Sequence, residues 1–143
     1  MKKINKIIID TGPLLALMNP RDKDHLICLN FFKSFEGKIF IPEAVITETA
    51  YFLGKRVSVE AQIQLLDFIF KGGFSIISQT ENMLLRETEL IKKYKDVPMD
   101  FADATIVAFA EESKIYDIFT LDKDFSIYRA GKRKKSFIVW PKQ

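Results

Sequence analysis

The chain is poor in the side chains that most often bind transition metals or act as bases. Among its 143 residues it has one histidine, His25, and one cysteine, Cys28. One of each cannot form a zinc site of histidines and cysteines, nor a ribonuclease site with two histidines. A single cysteine also excludes an internal disulfide and is typical of a reducing cytoplasm, where we expect the protein. Any hydrolytic chemistry must therefore depend on carboxylates, hydroxyls, lysines or a hard metal ion.

Other absences exclude further classes of protein. No apolar run approaches the roughly 20 residues of a membrane helix, and the basic start leads into a run too short for a signal peptide, so we expect no membrane partner. The absence of a GxxxxGK[ST] motif excludes a P-loop enzyme. A phosphoacceptor receiver domain needs a second acid beside Asp10 and a lysine after its fifth strand. Asp10 has no acidic neighbour, and Lys142 lies beyond Pro141.

The composition and the apolar pattern are those of one globular α/β domain over residues 1–143. Apolar residues make up 48% of the chain and charged residues 29%, which is not the composition of a disordered chain. Short apolar runs alternate with segments of helical spacing, which is the pattern of a parallel sheet covered on both faces. The predicted strands are residues 7–9, 38–42, 74–78, 116–121 and 136–140. The predicted helices are residues 12–18, 24–35 (ended by Gly37), 43–53, 59–70, 81–94 and 100–113.

Asp10 is the first candidate functional residue, because it directly follows the apolar run of residues 7–9. A carboxylate at the end of a buried strand is costly unless a cleft solvates it or a cation neutralises it. In open α/β sheets, ligands bind in the cleft outside the carboxyl ends of the strands. The alternative is that Asp10 caps the helix over residues 12–18. The local sequence leaves both interpretations open.

Asp122 repeats this arrangement at the end of the strand predicted over residues 116–121. Asp124 follows two residues later, and one of the two acids is expected to cap a short helix around residues 124–128. Because Asp122 lies nearer the strand end, we favour Asp122 as the functional residue.

Three further acids lie in predicted helices. Asp100 is placed to cap the helix that follows it by accepting from the N–H of Asp103. Asp103 then lies in the first turn between two alanines, which leave room for a ligand, and we favour a functional role for it. Glu48 lies in the helix over residues 43–53, where an exposed, structurally neutral glutamate is the default explanation.

Asp10, Glu48, Asp103 and Asp122 are expected to lie at one edge of a parallel sheet. A cluster of oxygen ligands without histidine or cysteine suits Mg²⁺ or Mn²⁺. Empty, such a cluster would be mutually repulsive, so a divalent ion is expected to occupy it. The ion would lower the pKa of a bound water and stabilise charge on a leaving oxygen.

Four segments in this order resemble the PIN-domain nucleases, particularly the VapC-like ribonucleases of toxin–antitoxin systems. They are IIIDTGPLLALMNPRDKDH, PEAVITETAYFL, PMDFADATIVAFAEE and FTLDKDF. The resemblance implies a three-layer α/β/α sandwich with a five-stranded parallel sheet in the order 3-2-1-4-5. It also implies a catalytic set of Asp10, Glu48, Asp103 and Asp122, with Asp10 and Asp103 as the main metal ligands.

The function implied by the resemblance is a Mg²⁺-dependent endoribonuclease that leaves 5′-phosphate and 3′-hydroxyl ends. Its implied partners are an RNA substrate, a cognate antitoxin and a second copy of the chain in a homodimer. The alternative is a non-catalytic PIN-like module that binds RNA or a protein partner. Such a module would be marked by the loss of one of the four acids, and none is lost here.

Two positions depart from the family pattern. Relatives often have serine or asparagine two residues after the first catalytic acid, where this chain has Gly12. A side chain that would orient substrate or metal-bound water is therefore missing, although Thr11 keeps a hydroxyl nearby. Asp100 occupies a position where many relatives have a small polar residue, so a fifth acid is expected to tune the site.

Two surface segments have open interpretations. Residues 129–135, RAGKRKK, hold five of the 22 basic residues and are either a solvated turn or a contact for RNA phosphates. The apolar helix around residues 62–70, with Phe68 and Phe70, is expected to be partly exposed and to serve dimerisation or antitoxin binding. Most of the 13 phenylalanines have core spacing, and none is assigned to RNA.

Overall fold

The computed structural model describes residues 3–142 and contains a five-stranded parallel sheet. The order of its strands is β3-β2-β1-β4-β7, and a separate antiparallel ribbon pairs β5 with β6. Because β5 and β6 lie outside the main sheet, β7 is its fifth strand, and the predicted order 3-2-1-4-5 is confirmed. The strands are β1 (Lys6–Ile9), β2 (Lys38–Pro42), β3 (Ser75–Ile77), β4 (Asp117–Phe119), β5 (Arg129–Ala130), β6 (Lys135–Ser136) and β7 (Ile138–Trp140).

Helices cover both faces of this sheet. Ile7, Ile8 and Ile9 of β1 are all fully buried, although successive residues of a strand point to opposite faces. The α/β/α sandwich that the alternating pattern predicts is therefore confirmed. The helices are α1 (Thr11–Met18), α2 (His25–Ser34), α3 (Glu43–Arg56), α4 (Val59–Lys71), α5 (Glu81–Lys93) and α6 (Phe101–Ser113), with a 3₁₀ helix at Lys123–Ser126.

Three helices begin at polar capping residues, among them Asp100, which the sequence predicts as a cap. The Ser58 hydroxyl accepts from the N–H of Ala61 at 3.0 Å, and Thr80 caps α5 in the same way. Asp100 accepts from the N–H of Asp103 at 2.8 Å. Each bond satisfies a backbone donor that the first turn leaves unpaired.

Gly37 does not end α2, contrary to the prediction. The helix ends at Ser34, and Gly37 precedes β2. A Cβ atom at Gly37 would collide with the backbone carbonyl of Asn5, which also accepts from the N–H of Lys38 at 2.9 Å. The glycine is therefore needed for the close approach of β2 to the residues before β1.

The basic segment of residues 129–135 forms the β5–β6 ribbon, an element that the sequence pattern does not reveal. Its turn uses Gly131 at φ 71° and Lys134 at φ 51°. The N–H of Gly131 donates to the Glu111 carboxylate of α6 at 2.6 Å, and the same carboxylate accepts two bonds from Arg86 of α5 at 2.6 and 2.7 Å. The ribbon is thereby fixed to α5 and α6, while Lys132, Arg133, Lys134 and Lys135 are exposed.

None of the helices within residues 3–142 combines the length and the low charge that crossing a bilayer requires.

Candidate active site

Three of the predicted acids converge at the carboxyl edge of the sheet. Asp10 follows β1, Asp122 lies just beyond β4, and Asp103 is in the first turn of α6. One carboxylate oxygen from each lies within 4.8 Å of the others. Asp10 and Asp103 are each only 6% exposed. We call these three residues the acidic cluster.

Asp10 is fixed by hydrogen bonds to both of its carboxylate oxygens. The Thr120 hydroxyl donates to one oxygen at 2.8 Å, and the N–H of Thr11 donates to the other at 2.8 Å. Asp10 thus caps α1 and also belongs to the cluster, so the two interpretations of this residue are compatible. The Thr120 oxygen also accepts from the N–H of Asp122 at 3.0 Å, which ties the ends of β1 and β4 together.

Asp122 likewise serves as a cap. Its carboxylate accepts from the N–H of Asp124 at 2.9 Å and begins the 3₁₀ helix. Asp122 is therefore both the cap and the cluster member, while Asp124 lies outside the cluster.

Asp103 is held by a tyrosine from a distant part of the chain. The Tyr128 hydroxyl donates to the Asp103 carboxylate at 3.0 Å, and Tyr128 is fully buried. Neither Tyr128 nor Thr120 is predicted from the sequence as a residue of the site. The position of Thr120, directly before the strand-end pair Leu121–Asp122, was a usable signal. Tyr128 has the spacing of a core aromatic, and nothing in the local sequence distinguishes it.

Burial and mutual repulsion raise the pKa values of Asp10 and Asp103 when no cation is bound. The pKa of Asp10 is raised to about 6, chiefly by burial, with the bonds from Thr120 and Thr11 opposing the shift. The pKa of Asp103 is raised to about 8, again chiefly by burial, then by the charges of Asp10 and Asp100. The bond from Tyr128 opposes this shift. Three negative charges at this spacing therefore favour a cation among them.

The residues present fit a hard divalent ion. Carboxylate oxygens are the ligands that Mg²⁺ and Mn²⁺ prefer. The buried hydroxyl of Thr11, next to Asp10, has no hydrogen-bond partner among residues 3–142. An unsatisfied buried hydroxyl is costly, and an ion with its hydration shell would supply partners.

The other predicted residues lie outside this group of three. Glu48 is half-buried on α3 and lines a cavity with Phe101 and Ala102, and Asp100 caps α6. At Gly12, a Cβ atom would lie 3.5 Å from the Leu121 side chain, which is ordinary contact. The backbone at this position could therefore accommodate a side chain, and neither backbone conformation nor steric contact explains why the residue is glycine.

Replacing Tyr128 with phenylalanine should weaken metal-dependent activity more at pH 6.5 than at pH 8.5. The lost hydrogen bond stabilises ionised Asp103, so the variant needs a higher pH before Asp103 can bind a cation. We expect the Mn²⁺ concentration for half-maximal activity to rise about tenfold at pH 6.5.

The control is Tyr116→Phe, because Tyr116 lies at the opposite, amino end of β4. Equal losses at both pH values would mean that Tyr128 only supports the fold.

Comparison with known proteins agrees with this architecture. The PIN domain family model matches residues 7–131. Ribonuclease VapC26 from Mycobacterium tuberculosis is 26% identical over 117 residues, which are 82% of this chain and 87% of that protein.

Solved structures have the same fold. The crystal structure of M. tuberculosis VapC20, described as a sarcin–ricin loop cleaving toxin, superposes with a TM-score of 0.80 at 21% identity, covering 85% of this chain and 93% of VapC20. VapBC2 from Rickettsia felis, solved bound to a DNA fragment of its promoter, gives a TM-score of 0.64 at 20% identity and covers 95% of this chain and 99% of that one. The VapC-like resemblance of the four sequence segments is confirmed, and the chain belongs to the PIN domain family.

Proposed function

We propose that this protein is a Mg²⁺- or Mn²⁺-dependent endoribonuclease whose site consists of Asp10, Glu48, Asp103 and Asp122. The observation that carries the proposal is the convergence of three carboxylates within 4.8 Å at the carboxyl edge of the sheet. The naming of VapC26 as a ribonuclease supports the same activity.

The four acids have different proposed roles, which follow from their positions. Asp10 and Asp103, the most deeply buried of these four acids, would hold the ion, and Asp122 and Glu48 would complete the set or orient water. An ion held there would supply positive charge that favours ionised water and stabilises the leaving oxygen. Thr120 and Tyr128 keep Asp10 and Asp103 in fixed rotamers, which limits the reorganisation needed on ion binding.

We also propose that the protein is the toxin of a type II toxin–antitoxin pair. Relatives of the same fold include the VapC20 toxin and the VapBC2 complex. The surface assigned to a protein partner, either the antitoxin or a second copy of the chain, is an apolar stripe on α4. Its members recur at spacings of four, three and four residues and are between 48% and 87% exposed: Val59, Ile63, Leu66 and Phe70.

Purified protein should cleave RNA in the presence of Mg²⁺ or Mn²⁺, stop when EDTA is added, and resume when the ion is restored in excess. The products should carry 5′-phosphate and 3′-hydroxyl ends, which end-labelling and ligation assays distinguish.

Cleavage that persists in EDTA would contradict the metal-dependent mechanism. RNA binding without cleavage, together with no heat of Mn²⁺ binding in calorimetry, would favour the non-catalytic module instead.

A further inference from the structure

A cavity of about 460 Å³ opens between α3 and the first turn of α6. Phe101 and Ala102 line it, and they are the two residues before Asp103 in the chain. Glu48 lines it from α3. The cavity therefore shares Glu48 with the proposed catalytic set and adjoins the acidic cluster through α6.

One face of α3 carries both Glu48 and a basic residue, Lys55. Tyr51, Phe52 and Lys55 come three, four and seven residues after Glu48, so all four lie on the same side of the helix. The Lys55 ammonium lies 6.0 Å from the centre of the Tyr51 ring, and the Arg56 guanidinium lies 4.3 Å from the centre of the Phe52 ring. The aromatic rings beside Glu48 are thus accompanied by two positive charges.

Two of these aromatic side chains are open to solvent. Tyr51 is 56% exposed and Phe101 is 43% exposed. Aromatic faces next to cations suit a ligand that carries both a flat ring and a negative charge, as a nucleotide does. The exposed stripe on α4 differs from this cavity in its chemistry. Three of its four members are aliphatic, which suits an apolar protein surface.

We propose that this cavity binds an unpaired nucleobase of the substrate, stacked on Phe101 and Tyr51, with an adjacent phosphate at Lys55. The inference rests on the proposed ribonuclease function and deepens it. A base can enter the cavity only when it is unpaired, so the inferred substrate is RNA that is single-stranded at the point of cleavage. A base in this cavity lies beside Glu48, so stacking positions the neighbouring phosphodiester at the acids.

The test measures binding in an Asp103→Asn background, which prevents cleavage during the assay. The probes are fluorescein-labelled 12-mers of uridylate and of adenylate, and a 12-mer of equal phosphate charge in which abasic ribitol spacers replace the bases. We expect the base-containing strands to bind about tenfold more tightly than the abasic strand. Phe101→Leu, which keeps apolar bulk but removes the ring, should reduce this preference to about twofold or less.

The control is Leu85→Ala on α5, since Leu85 is 72% exposed and lies outside the cavity. Far-ultraviolet circular dichroism establishes that each variant is folded. Equal affinity for abasic and base-containing strands, or an unchanged preference in Phe101→Leu, would overturn the proposal. The second outcome is also the one expected if a protein segment occupies the cavity.

Cleavage by the otherwise wild-type chain separates this inference from the proposed function. If the function is wrong, the wild-type chain shows no Mg²⁺-dependent cleavage. If only the inference is wrong, the wild-type chain cleaves RNA and Phe101→Leu retains its kcat/KM. If both hold, Phe101→Leu loses about tenfold in kcat/KM for single-stranded RNA.

Discussion

Asp103→Asn is expected to abolish RNA cleavage while making the ion-free protein more stable. The substitution keeps the shape of the side chain and an oxygen that accepts from Tyr128, but it removes a negative charge that is 6% exposed. Losing one of the two main proposed ion-binding carboxylates should reduce cleavage by about a thousandfold or more. Removing an uncompensated buried charge should raise the unfolding temperature.

The gain in stability should depend on pH, which distinguishes it from a general packing effect. Asp103 has a pKa of about 8 in the folded protein, so it is mostly neutral at pH 6 and ionised at pH 9. The unfolded chain releases this proton near pH 3.8, so the variant should match the wild type closely near pH 4. Its advantage should grow as the pH rises to about 8 and stay constant from there to pH 9. Thermal unfolding in EDTA, followed by circular dichroism, measures the difference.

Two comparisons make the result specific. Asp10→Asn should also abolish cleavage, and its gain in stability should level off near pH 6, because the pKa of Asp10 is raised only to about 6. Asp96→Asn, an exchange of the same kind at an exposed position, should change neither cleavage nor stability. Full activity in both Asp10→Asn and Asp103→Asn would remove the acidic cluster from the mechanism.

The ion-free wild-type protein should lose stability as the pH rises from about 4 to about 8. The pKa values of Asp10 and Asp103 are raised from 3.8 to about 6 and about 8, so the folded chain keeps protons that the unfolded chain has already released. The unfolding free energy therefore falls with pH across this window and levels off above it. At about 1.4 kcal/mol for each pH unit, Asp10 alone accounts for about 3 kcal/mol.

A divalent ion should reverse this loss, since it stabilises the ionised carboxylates that destabilise the empty site. The rise in unfolding temperature on adding Mn²⁺ should be small at pH 5 and largest at pH 8. At 100 times the dissociation constant, the gain in unfolding free energy should reach about 2.7 kcal/mol. Differential scanning fluorimetry across pH, with and without Mn²⁺, gives the comparison. Stabilisation by Mn²⁺ that is independent of pH, or that persists in Asp103→Asn, would place the ion elsewhere.

The strand-end acids could be anticipated because their positions follow from local rules. A short apolar run that stops at a carboxylate predicts Asp10 and Asp122, and parallel strands bring such ends to one edge. Asp103 followed from its place one turn inside a helix that Asp100 caps. Each of these inferences needs only spacing and residue type, and the sheet order confirmed the edge on which they meet.

The residues that fix the acids could not be anticipated in the same way. Tyr128 lies 25 positions from Asp103, and Thr120 lies 110 positions from Asp10. Their hydrogen bonds exist only because the sheet and the core bring distant segments together. The β5–β6 ribbon was missed for another reason, since its two-residue strands are too short to show a periodic pattern.

The attachment of the basic ribbon to α6 has a consequence for how far the protein reaches along its substrate. Glu111 bonds to the ribbon at Gly131 and lies eight residues beyond Asp103 on the same helix, about 12 Å along its axis at 1.5 Å per residue. The exposed cations of residues 132–135 and the Asp103 carboxylate are therefore linked through α6. Under the proposed function, a phosphate that contacts the ribbon should lie at a set number of nucleotides from the cut, so footprints on different RNAs should share one length.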